Sequence, residues 1–138
     1  MNAERGSVTP LVAGILLLTG VMAVSVIDST DLALTRTALQ SLADGAALAG
    51  AQSFTPSSVA LTASGISVTV TKSTATLAAR AYLKDSGVTG VALQSATVPD
   101  SHTAVVTLSR VWSPPLVSQF IPVRVRLTAT ARARTRLG

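Results

Sequence analysis

The chain has 138 residues, of which 48% are hydrophobic, 12% charged and 3% aromatic, and a net charge of +5. The charged share is about half the roughly 25% of ordinary globular domains, which points to a membrane segment, and the length allows one small domain beside it. Cysteine is absent, which excludes structural zinc fingers, iron–sulfur clusters, disulfide scaffolds and thiol nucleophiles together.

Residues 6–27, GSVTPLVAGILLLTGVMAVSVI, carry no charge. As a helix rising about 1.5 Å per residue, this run spans roughly 33 Å, enough for a hydrocarbon core of about 30 Å. A small domain with so few aromatics has little bulk with which to surround such a helix. Thr9 is the expected N-cap and Pro10 the first helical residue, where a missing N–H is harmless. Pro10, Leu11, Gly14 and Gly20 then belong to a membrane or assembly helix. The run exceeds the 7–15 residues of a signal core, and the small residues Ala49, Gly50 and Ala51 lie too far beyond it for signal cleavage. An anchor is the better reading. Arg5 and the α-amino group precede the run and Asp28 and Asp31 follow it, which favours an inside N-terminus and an outside C-terminal part.

No helix breaker follows Ile27, so the helix is expected to continue to about Gln52, on the order of 60 Å in all. Leu32, Leu39, Ala43, Ala46 and Gly50 share one face. Residues 43–51, ADGAALAGA, are nearly all small, and Leu39, Ala43, Ala46, Ala47 and Gly50 form a candidate packing stripe that lets another backbone approach closely. The stripe serves either the chain's own sheet or a neighbouring subunit.

Ser53, Phe54, Thr55, Pro56, Ser57 and Ser58 end the helix. Residues 66–71 alternate apolar and polar and read as a strand. Ser73 or Thr74 is the expected cap of a short helix to about Ser86, with Leu77, Ala81 and Leu83 or Tyr82 inward and Gly87 stopping it. Residues 88–98, 103–112 and about 120–136 read as three further strands, with a hairpin turn at Pro99, Asp100 and Ser101 and a break at Ser113, Pro114 and Pro115. In the last strand Val123, Val125, Leu127, Ala129, Ala131 and Ala133 alternate with arginines and threonines, as in a half-buried antiparallel strand.

Residues 101–138 hold six arginines and no acid. Arg124, Arg126, Arg132 and Arg134 form a candidate basic contact face for an anionic polymer, lipid or acidic partner; the plainer reading is a solvated strand that deters edge pairing. Nucleic acid is disfavoured, because no interleaved aromatics offer stacking platforms. His102, the single histidine, falls at a turn with no nucleophile motif nearby. The acids are scattered without metal or acid–base spacing. The sequence offers no basis for an enzyme, a metal or a cofactor.

Residues 5–52 resemble the N-terminal region of TadE/TadG-like proteins of the tight-adherence, Flp-type pilus assembly machinery. The resemblance rests on RGSVTPL before the apolar run, Asp28 just after it, and LQSLADGAALAGAQ at residues 39–52. The ending TATARARTR is similar to the closing strand of TadG-like members. The resemblance implies a pilin-like α+β shape: a long N-terminal transmembrane helix extending into a small head with an antiparallel sheet of about four strands and one short helix. The expected divisions are a leader-like 1–6, the helix and its extension over 7–52, and an extracytoplasmic head over 53–138. The implied role is a pilus assembly or minor-pilin-like component, single-pass in the cytoplasmic membrane, with the head outside or carried into a surface pilus. Its partners would be other pilus or pseudopilin subunits, assembly machinery and membrane lipid. The bond between Gly6 and Ser7 resembles a prepilin-peptidase site, which would add that peptidase as a partner. Prepilins generally carry Glu five residues after the cut; here Leu11 stands there beside Pro10, which fits an uncleaved anchor. The alternative function is a membrane-tethered binding module using the basic strand face.

Overall fold

The computed structural model describes residues 8–54, 59–63 and 65–135. The leader-like residues, the Gly6 and Ser7 pair, Thr55 to Ser58 of the expected turn and Arg136 lie outside the described residues. The elements are α1 (Val8–Ala51), β1 (Val59–Thr62), β2 (Gly65–Val68), α2 (Lys72–Asp85), β3 (Val91–Thr97), β4 (Thr103–Trp112), a 3₁₀ turn (Val117–Gln119) and β5 (Val125–Arg134). The architecture is α+β, with a two-stranded sheet β1-β2 and a three-stranded antiparallel sheet β3-β4-β5. The strands divide into two sheets where a single sheet of about four was expected.

The chain forms two compact units, Met1–Leu34 with Ser113–Arg124 and Thr35–Trp112 with Val125–Gly138. In the first unit α1 already includes Val8 and Thr9, so Thr9 is not the N-cap. Pro10 is still accommodated, because the first four N–H groups of a helix have no acceptor within it. The expected strand over 120–136 starts only at Val125. The N–H groups of Phe120 and Ile121 both go to the Val117 carbonyl, at 3.0 and 2.9 Å, and Pro122 has none to give a ladder.

In the second unit β4 is the central strand. Its register sets Ala104 against Ala133, Val106 against Ala131 and Leu108 against Ala129. Because side chains alternate across a strand, Ala104, Val106 and Leu108 share a face, and all three are buried. Leu127, Ala129 and Ala131 of β5 are buried too, and so are Leu39, Ala43, Ala46, Ala47 and Ala51 of α1. The core is made mainly of alanine, and Leu108 and Val106 are its largest fully buried side chains. Small side chains trade apolar area for close approach of the backbones. A bulge at Leu93 to Ser95 in β3 interrupts the register, and Gln94 there donates to the buried Ser109 hydroxyl at 2.7 Å.

α2 differs from expectation in its cap and its inward face. Thr71 is the N-cap: its hydroxyl accepts the Thr74 N–H, and the Thr74 hydroxyl accepts the Thr71 N–H, a reciprocal box. Ala75 and Ala79 are buried, whereas Leu77 is 67% exposed and Ala81 and Tyr82 are also exposed. Alanines win the inward positions because α2 lies close to α1. A Cβ on Gly50 would stand 3.6 Å from the Ala75 Cβ, and one on Gly45 would overlap the Tyr82 ring. The expected strand over 66–71 ends at Val68, and its partner β1 had no clear sequence signal. Gly90, at φ 77°, delays β3 to Val91.

Candidate membrane and assembly surfaces

The apolar part of α1 is exposed on every side. Leu16, Leu17 and Leu18 are 68%, 70% and 58% exposed, and three successive residues at 100° intervals cover most of a helix circumference. A helix apolar all round suits a lipid surrounding rather than a half-solvated face. Two of its hydroxyls are answered internally: Thr19 donates to the Ile15 carbonyl and Ser25 to the Val21 carbonyl, both at 2.8 Å. That pairing removes the cost of a bare donor in hydrocarbon. Pro10, Leu11, Gly14 and Gly20 all lie on this exposed part, and nothing stands within 4 Å of a Cβ placed on Gly14 or Gly20. By length and composition α1 is a candidate membrane span.

Asp28 ends the uncharged run and is only 8% exposed. Its Oδ1 accepts the N–H of Leu116 at 3.2 Å, while its buried Oδ2 has no hydrogen-bond partner among the described residues. The Ser113–Arg124 segment is thereby tied to the helix where the apolar run stops. Phe120 and Ile121 on that segment are 87% and 59% exposed. Sequence reasoning missed this tie, which joins residues 88 positions apart.

In the second unit the small-residue stripe is occupied from within the chain. A Cβ on Gly50 would stand 3.3 Å from the Ala104 Cβ of β4. The Gln40 side chain donates to the Thr130 carbonyl at 3.4 Å, and the Thr135 hydroxyl donates to the Ala51 carbonyl. Leu39, Ala43, Ala46, Ala47 and Gly50 are therefore buried against this unit's own elements. A groove of about 690 Å³ runs beside them, lined by Arg36, Gln40, Asp44 and Arg126 among others. Arg126, Arg132 and Arg134 are exposed along β5, and Arg124 is exposed in the first unit.

Among the described residues no group of three or more His, Cys, Asp or Glu comes together to hold a metal. Asp100 spends its acceptors on its own turn. Oδ1 takes the N–H groups of His102 and Thr103, at 3.1 and 2.6 Å, and Oδ2 takes the Thr103 hydroxyl at 2.9 Å. These bonds hold Ser101 at φ 63°, a left-handed conformation that serine rarely adopts. The Thr103 hydroxyl first, and after it the two N–H groups and the Arg134 charge, hold the Asp100 carboxyl below its ordinary range against an opposing desolvation at the turn. His102 is half-buried at the same hairpin.

A helix that is apolar on all sides, then small on one face, narrows the field of proteins that resemble this one. Residues 6–53 match the family model for putative Flp pilus-assembly TadE/G-like proteins. The TadE/G-like segment covers all of α1 and stops before β1. It includes the apolar run, Asp28 and the alanine-glycine stripe, so the likeness to putative Flp pilus-assembly proteins is carried by this part of the chain. Residues 54–138 lie outside the match. No curated protein and no solved structure matches the chain.

Proposed function

We propose that the chain is a structural component of a Tad/Flp-type pilus, of the pilus-assembly or minor-pilin kind, held in the cytoplasmic membrane by α1. The observation that carries this reading is the coincidence of the TadE/G-like segment with a helix whose first part is apolar on all sides. Each central Leu, Ile or Val favours insertion by about 0.3–0.6 kcal/mol, so such a run supports a stable anchor. The protein acts by packing against other pilus subunits and assembly machinery, without covalent chemistry. The N-terminus lies inside and the helix–sheet unit outside, as Arg5 close before the apolar run, with no basic residue after it until Arg36, favours. Leu11 in place of the usual prepilin glutamate supports retention in the membrane without cleavage between Gly6 and Ser7. Deleting the gene in its own cell and counting Flp-type pili by electron microscopy tests the role. Pili should be lost or sharply reduced and should return on complementation; unchanged piliation refutes the proposal.

A further inference from the structure

We propose that the Ser113–Arg124 segment is a second membrane contact, with Phe120 and Ile121 seated in the interfacial layer of the bilayer that α1 crosses. The inference rests on the reading of α1 as a membrane span. Its first support is the level of the segment. Asp28 is the first charged residue after the apolar run, and its Oδ1 accepts the Leu116 N–H at 3.2 Å. The segment is therefore held where hydrocarbon gives way to headgroups.

The second support is reach. Phe120 and Ile121 follow a 3₁₀ turn whose Val117 carbonyl accepts both of their N–H groups. At about 2 Å per residue, four residues from Leu116 to Phe120 advance roughly 8 Å. A bilayer of about 40–45 Å with a 30 Å core leaves roughly 5–8 Å of interface on each side. Phe120 thus stays within about one interfacial thickness of the helix boundary.

The third support is the way the segment divides its apolar residues. Pro114 is buried and Leu116, Val117 and Val123 are half-buried, so they are already covered. Phe120, at 87%, and the adjacent Ile121, at 59%, are left outward. In water two neighbouring large apolar residues so exposed have no stabilising surround, whereas at the membrane surface they meet the acyl boundary. Arg124, exposed two residues after Pro122, adds attraction to anionic headgroups.

The test uses the full chain in phosphatidylcholine–phosphatidylglycerol vesicles, with Trp112→Phe removing the single native tryptophan. Phe120→Trp and, separately, Ile121→Trp then report the segment, and Leu17→Trp reports the helix. Lipids brominated high on the acyl chain should quench most of the Phe120→Trp and Ile121→Trp emission, and lipids brominated near the chain ends much less. Leu17→Trp should show the opposite order. If Leu17→Trp is quenched but neither segment probe is, the inference is overturned while the span stands. Segment emission that is blue-shifted yet insensitive to every brominated lipid assigns the patch to a second copy and overturns it equally. If Leu17→Trp escapes quenching, the span itself fails and takes the inference with it.

Discussion

Replacing Gly50 with leucine tests whether the small-residue stripe is an internal packing surface. Gly50 is buried, and a Cβ there would meet the Ala104 Cβ at 3.3 Å, the Ala75 carbonyl oxygen at 3.5 Å and the Ala75 Cβ at 3.6 Å. A methyl group barely fits, and three further carbons have nowhere to go without moving β4 or α2. Overpacking of this kind costs about 1–3 kcal/mol. Replacing glycine within a helix returns about 1 kcal/mol of propensity. The net loss for Gly50→Leu is therefore up to about 2 kcal/mol. At about 4–8 °C per kcal/mol for a unit of this size, the melting temperature should fall by up to about 16 °C. Thermal unfolding of the full chain in detergent, followed by near-ultraviolet circular dichroism of Trp112 and Tyr82, measures it. Gly50→Ala should remain within about 1 kcal/mol of the parent, because propensity offsets a tight methyl. Gly20→Leu, in open space, should not lower the melting temperature. A Gly50→Leu protein as stable as Gly20→Leu would refute the argument that α1 closes on β4 at this glycine.

Three further outcomes are expected. Leu108→Ala should cost about 2–5 kcal/mol by leaving a cavity in the fully buried core, whereas Leu77→Ala, at an exposed site, should stay within about 0.5 kcal/mol; urea titrations compare the two. Thr71→Ala should lose the capping box of α2 and about 1 kcal/mol, read as a lower urea midpoint and faster amide exchange over Lys72 to Ala75. Asp100 has a folded pKa below its unfolded one. Its contribution is fully present above the ordinary carboxylate pKa of about 3.9 and is lost as pH falls through the lower folded value. Asp100→Asn should consequently be less stable than the parent at neutral pH and approach it in acid, and a constant gap across an acid titration of melting temperatures would remove the turn carboxylate from the account.

Elements governed by local pattern were legible in the sequence. α1 follows from an unbroken apolar run joined to a helically spaced stripe, and β4 was placed at Thr103–Trp112, the bounds it has. The inward face of α2 was not legible. Hydrophobicity nominates Leu77, yet the buried positions are Ala75 and Ala79, with Ala75 close against Gly50 and the Tyr82 ring over Gly45. Close approach between helices is a property of two segments at once, and one segment's periodicity does not encode it. The start of the last strand was misplaced for a similar reason. Val123 continues the alternation, but the 3₁₀ turn before it takes the N–H groups that a ladder would need. The tie from Asp28 to Leu116 had only half a signal, an acid directly after an apolar run; its partner is a backbone N–H, which no residue type marks.

In the proposed function α1 is a membrane tether for a packed unit that serves pilus assembly. The most direct measurement is complementation of the deletion strain with two forms of the gene, pili being counted per cell. One form is the full chain; the other replaces residues 8–27 with a cleavable export signal, so that the remainder is secreted without its anchor. The full chain should restore pili and the untethered form should not, although it is present outside the membrane by immunoblot. Restoration by the untethered form would contradict the account.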